Sequence, residues 1–380
     1  MPWYKDLENW TEKDAEFLEI RKGVSRHIVR FIKREKFSFA VKQTSFSAAK
    51  KEIGAYHKIL SCGIHTLIPA GYIVVYREPI EIKTPIGVQY EENVIAFVIT
   101  ILEDKTLPHS ILYKYDFQTK NILQIWDAFS ELLALLHHNN IYWGDASFAN
   151  SLIKFVKEKD LSGKLRTRLR AFLADAETVE FFDKISDSYR ESDIEYFFES
   201  MEWLNEDFAK AQINRKNYSL ERDKKYLIEK YNYYYNLLKK IDEFEEKTKL
   251  SVRASFKVEA NPEALEEIIK QIEEHKWYLS EKYGEEISLQ EAAEDWKKNI
   301  YDKIINLFEQ YNINNYFPNS NCFSLYLDIM KHKYFLSLEK KSDVGIEIAI
   351  QSYCEKYSED KSLLQIFKNI AKEILKIIRL

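Results

Sequence analysis

Three residues define the chemistry this chain can do. In the stretch HHNNIYWGDASFANSLIKF, His137–Phe155, Asp145 is followed five positions later by Asn150, and another acid, Asp175, stands in the apolar run FLADAETVE. An acid, an amide on the same loop and a second acid on a neighbouring strand are the least that holds a nucleotide's Mg²⁺ beside a general base. Mg²⁺ takes hard oxygen ligands in octahedral geometry and leaves the other positions to water and phosphate. The arrangement points to phosphoryl transfer, in which positioning and charge stabilisation carry most of the catalysis.

Other elements must complete such a site. KFSFAVKQT reads as a strand with Lys42 near its end, and SFSAAKKEIGAYHKIL as a short amphipathic helix carrying Glu52. A lysine in an apolar strand is costly to bury unless its ammonium meets an anion. A strand lysine held by a helix glutamate and aimed at phosphate oxygens is the other half of the same chemistry. Singly, each has a plainer reading, an edge lysine with a solvated head and a surface glutamate. In chain order with Asp145 they form a set.

Around them the front of the chain is strand-rich. FLEIRKGVSRHIVRFIKR reads as two strands around a turn at Gly23 and Ser25, and LIPAGYIVVYREPI and ENVIAFVITILED as two more. The last breaks into EDKTLPHS, as a connector between lobes would, and backbone groups around Ile101 to Glu103 are placed to meet a purine edge. QTKNILQIWDAFSELLALLHH has apolar residues at helical spacing and delivers the chain to Gly144, where a sharp turn precedes Asp145. KFVKEKDLSGKLRTRLR is expected to be a hairpin arm, 154–170, with a solvated basic face.

The 380 residues favour two domains, and 46% hydrophobic with 14% aromatic residues suffices for packed cores. A net charge of -5 argues against a dedicated nucleic-acid binder. Cys62, Cys322 and Cys354 are too few and too scattered for a disulfide framework, so a reducing cytosol is expected. The charged start MPWYKDLENWTEKD predicts no secretory signal, and the longest apolar segment, Val94 to Leu102, predicts no transmembrane helix.

At WGDASFANSLI, REKFSFAVKQTSFSAAKKE and HKWYLSEKYGEEISLQEA the sequence resembles the protein-kinase-like superfamily, within it an uncharacterised bacterial family similar to lipopolysaccharide kinases. The resemblance covers about Glu16 to Leu204. It implies a bilobal α+β domain in which Asp145 is the catalytic base, Asn150 and Asp175 are Mg²⁺ ligands, and Lys42, paired with Glu52, binds ATP phosphates. It also places Asp193 on a helix that braces the catalytic loop. The sequence departs from the superfamily in three ways. The phosphate-covering loop has one glycine, Gly23; Asp175-Ala176-Glu177 has no Phe-Gly after the acid; and 18 positions (193 - 175) leave little room for a peptide-docking segment. A small or glycan-like hydroxyl acceptor is implied.

The expected domains are 1–205, with lobes at about 1–103 and 104–205, and an all-helical 206–380. DFAKAQINRKN is the expected connection, followed by a long tyrosine-rich helix at Ser219 to Lys247 whose stripe reads as core. HKWYLSEKYGEEISLQEAAEDW from His275 aligns without gaps on HKYFLSLEKKSDVGIEIAIQSY from His332, predicting a repeated helical hairpin at about 262–300 and 320–357. Ser288 with Glu291 predicts a capping box, and Asn261-Pro262 a helix start. His275 and His332 read as packing or capping residues. The final KSLLQIFKNIAKEILKIIRL is amphipathic and is expected to dock on its own domain. The reading is an ATP- and Mg²⁺-dependent phosphotransferase. The alternative is a pseudokinase, a nucleotide-binding scaffold that recruits a protein partner through its C-terminal helices.

Overall fold

The computed structural model describes residues 1–20, 28–84, 87–159, 165–252, 262–317, 320 and 322–358. Gly23, the hairpin turn at 160–164, Asn261 and the final amphipathic stretch lie outside the described residues.

The β-branched and aromatic runs at the front form strands β1 (Glu16–Phe17), β2 (Val29–Arg34), β3 (Phe37–Thr44), β4 (Ile68–Thr84) and β5 (Gly87–Ile101). They make one antiparallel sheet in the order β1-β2-β3-β5-β4. Lys42 is internal to it, opposite Val29 on one side and Val98 on the other. Ser45 accepts from Ala48 N at 3.3 Å and starts helix α1 (Phe46–Ser61). The helix turns Ala49, Glu52, Ile53, Tyr56 and Ile59 inward at one-turn spacing and packs on β4 and β5. Residues 1–17 cover the opposite face, where Trp3 and Trp10 meet Phe97 at ring distances of 5.2 and 5.9 Å.

Next come β6 (Thr106–Pro108), α2 (His109–Tyr113), α3 (Thr119–His138), β7 (Ile141–Tyr142), β8 (Ser151–Lys159), β9 (Leu165–Leu173), β10 (Glu180–Phe181) and α4 (Asp187–Lys210). The strands form a small sheet β6-β8-β9 and a two-stranded pair β10-β7. The apolar stripe of α3 buries Ile122, Ile125, Trp126, Phe129, Leu132, Leu133 and Leu136. Helix α4 runs on through Lys210, so the expected connector begins at Ala211. No Gly or Pro interrupts DFAK, and Phe208 is buried.

Helix α5 (Leu220–Thr248) follows, and beyond it the described chain is helical: α6 (Pro262–Tyr283), α7 (Leu289–Trp296), a π-helical turn at Lys297–Tyr301, α8 (Asp302–Gln310), α9 (Cys322–Lys340) and α10 (Ile346–Tyr357). The chain falls into two compact units, Met1–Val156 with Leu169–Asn236, and Lys157–Arg168 with Leu237–Leu380. It is an α+β protein, sheet-rich in front and helical behind.

The core of the second unit includes Ile268, Ile269 and Ile272 of α6, Trp296 of α7, Tyr326 and Ile329 of α9, and Tyr353 of α10. Ser288 and Glu291 exchange both capping bonds at the start of α7. Ser280 Oγ accepts from Ile287 N at 3.1 Å between α6 and α7; Ser337 Oγ accepts from Val344 N at 3.3 Å between α9 and α10. The two bonds are 57 residues apart (337 - 280). No helix among the described residues is long and apolar enough to cross a membrane.

Candidate active site

Lys42 is 9% exposed, and its ammonium is held by carboxylates on every charged contact. Nζ lies 3.1 Å from Glu52 Oε2, 2.9 Å from Asp175 Oδ2 and 3.2 Å from Glu177 Oε2. Burial alone would depress the ammonium, but the charges of Glu52 and Asp175 outweigh it and hold Lys42 above its ordinary range. Glu52 is more deeply buried, 2% exposed. Burial, and next the charge of Asp175, push its carboxyl up to about 7 against the pull of Lys42. One helical turn on, the Tyr56 hydroxyl lies 2.8 Å from Glu52 Oε1 and 2.8 Å from the Ala174 carbonyl, tying α1 to the segment that carries Asp175.

The Asp145 loop is built by backbone contacts. Gly144 has φ +77, a conformation that side chains rarely adopt, and a Cβ there would meet Thr178 O and Tyr142 Cε1 at 3.2 Å. Asp193, 1% exposed on α4, accepts from Trp143 N and Gly144 N at 2.8 Å each, and His137 Nε2 lies 3.0 Å from it. Because a carboxylate only accepts, His137 must donate there from Nε2. Trp143 Nε1 donates to Asp175 O at 3.2 Å and Thr178 Oγ1 to Trp143 O at 2.8 Å, so the loop and the Asp175 segment hold each other.

Asn150 Nδ2 donates to the Asp145 carbonyl at 3.1 Å, and Ala174 N donates to Asn150 O at 2.8 Å. The half-buried Asp145 carboxylate has no bonded partner among the described residues. That leaves its lone pairs available to an incoming hydroxyl.

Lys42, Glu52 and Asp175 are thus in direct contact, and Asn150 and the Asp145 loop are bonded to the residues beside Asp175. The Glu103 side chain is paired with Lys154, while Leu102 N is already used by Ser38 O at 2.9 Å. Gly23 lies outside the described residues. Sequence reading did not single out Glu177. The signal was present: in an extended segment, residues two apart point the same way, so Asp175 and Glu177 share a side. Tyr56, His137 and Trp143 were missed as well, because their partners are distant in sequence.

Glu52, Asp175 and Glu177 each offer an oxygen within 4.8 Å of the others. Three carboxyl groups surround one ammonium, counted over the contacts of Lys42, with the Glu52 carboxyl pushed up to about 7. Hard oxygen donors grouped this closely fit a divalent cation such as Mg²⁺.

No protein-family model matches this sequence, and no curated protein matches it. Among solved structures, the chain is similar to WaaP in complex with acyl carrier protein. The two are 14% identical, the match covers 61% of this chain and 83% of that one, and the TM-score is 0.38. Function is therefore read from the residues.

Proposed function

We propose that this protein is an ATP- and Mg²⁺-dependent phosphotransferase of protein-kinase-like architecture that acts on a hydroxyl of a small or glycan-like acceptor. One observation carries the reading. A buried strand lysine is held between a helix glutamate and Asp175, 133 residues away in the chain, whose segment is bonded to the Asp145 loop. The functional division into 1–205 and 206–380 belongs to this proposal, as does a reducing, cytosolic setting.

Asp145 would orient the acceptor hydroxyl and take its proton. Lys42, steadied by Glu52, would bind phosphate oxygens of the nucleotide. Asn150 and Asp175, with Glu177 beside them, would hold Mg²⁺. The bound ion would offset charge on the transferring phosphates. The Leu102 carbonyl and the Glu103 main chain would face the purine, Leu102 N being taken by Ser38 O. The short interval between Asp175 and Asp193 supports a small acceptor over a peptide.

The scaffold alternative has its own supporting observation: three carboxylates already engage Lys42. A nucleotide must draw Lys42 away from some of them, as a binder without turnover also could. Phosphate release from Mg·ATP separates the two. Wild type should turn over and Asp145→Ala should not, with nucleotide binding retained. Equal turnover in the variant removes the assignment, and binding without turnover in both proteins selects the scaffold.

A further inference from the structure

The two helical hairpins of the second unit share an internal bond and differ beside His275 and His332. In the first, His275 Nε2 lies 2.8 Å from Asp295 Oδ2, and Asn299 Nδ2 donates to Asp295 Oδ1 at 2.6 Å. Adding 57 to each number gives His332, Ser352 and Lys356. There His332 Nε2 lies 2.9 Å from Ser352 Oγ. The carboxylate that meets the histidine has become a short hydroxyl, and the amide that held it has become an ammonium.

A cavity of about 240 Å³ opens between α9 and α10 at this place, lined by Lys331, His332, Phe335, Leu336, Lys356 and Tyr357. By liquid-water volume that is room for about eight waters, the scale of a small organic molecule. Neither Lys331 nor Lys356 has an ion-pair partner among the described residues. The position matching Lys331 in the first hairpin is Glu274. Asp328 at the floor is 4% exposed and already accepts from the Tyr353 hydroxyl at 3.2 Å. Glu339, one turn beyond Phe335, also lines the cavity, so an anion belongs toward α10, beside Lys356. Burial, and then the charge of Lys356, hold the His332 imidazole below its ordinary range.

We propose that this cavity binds a small organic anion, a carboxylate or phosphate monoester on a short apolar or aryl body. Its charged end lies beside His332 and Lys356, whose counterparts His275 and Asn299 hold the Asp295 carboxylate in the first hairpin. Lys331 and Lys356 supply charge, and Phe335, Leu336 and Tyr357 cover the body. The inference is independent of the reading of Asp145.

Benzoate, phenyl phosphate and inorganic phosphate are titrated into the full chain and followed by amide NMR shifts. At least one of the two aryl probes should give saturable shifts confined to α9 and α10, with a Kd of about 1 mM or tighter. The better aryl probe assigns carboxylate or phosphate. Ser352→Asp restores the carboxylate that meets the histidine in the first hairpin, and Lys356→Gln removes one charge at an exposed helix position. Each should weaken binding by about tenfold or more with the circular dichroism unchanged. The proposal is overturned by no saturable shift from either aryl probe, by equal affinity in both variants, or by inorganic phosphate binding as tightly as phenyl phosphate.

Discussion

Replacing Asp193 with Ala tests how the Asp145 loop is held. The carboxylate is 1% exposed and accepts from Trp143 N and Gly144 N at 2.8 Å and from His137 at 3.0 Å. Alanine leaves two main-chain N–H groups and an imidazole N–H with no acceptor. Each unsatisfied buried donor costs about 1–3 kcal/mol. A water admitted to the space left behind can satisfy one of them. Two remaining donors then give a loss of about 4 kcal/mol, a large share of the roughly 5–15 kcal/mol that folded proteins have. Asp193→Asn keeps the shape but turns an N–H toward one of the donors, for a loss of about 2 kcal/mol. Urea denaturation measures both, and amide hydrogen exchange at Trp143 and Gly144 reports the loop directly. Losses under about 0.5 kcal/mol in the alanine variant, with exchange unchanged, would refute the bracing role.

Gly144→Ala should cost about 2–3 kcal/mol, since φ +77 is strained for alanine and its Cβ meets Thr178 O at 3.2 Å. A urea midpoint equal to that of wild type would show that the loop relaxes freely. His109 gives a pH prediction. Its ring is fully buried, with Nδ1 2.9 Å from Ser151 Oγ, and burial pushes its pKa down to about 3. The folded value lies below the unfolded value of about 6.5, so the contribution is intact above that pH and is lost as pH falls toward 3. Between pH 7.5 and pH 5, wild type should lose about 2 kcal/mol more than His109→Phe in matched urea titrations. Parallel losses in the two proteins would exclude His109 as the source.

Much of the architecture was readable because local signals agreed with one another. The alternation around Lys42, the amphipathic run with Glu52 and the apolar stripe of α3 each follow from side-chain period alone. The Ser288 capping box was legible because both partners lie within one turn. His275 and His332, read as packing or capping residues, bond to Asp295 and Ser352 across their hairpins. Contacts that depend on tertiary packing were not legible. His137 meets Asp193 across 56 positions, and Tyr56 reaches Ala174 O across 118. The connector was placed too early because polar composition in DFAKAQ resembles a loop, although no residue there breaks a helix. Glu177 falls outside the acid, amide and acid pattern, in which Asp175 alone takes the metal position, although it shares the side of Asp175 that faces Lys42.

Lys42 and the acids around it are proposed to form one Mg·nucleotide site. Calorimetric titration of Mg·ATP into wild type and Lys42→Met, with folding checked by circular dichroism, decides the claim. Wild type should bind one nucleotide, and the variant at least about tenfold more weakly, the effect of losing one charge-assisted contact to phosphate. Equal affinity in the two proteins, or no binding heat in wild type, would contradict the claim.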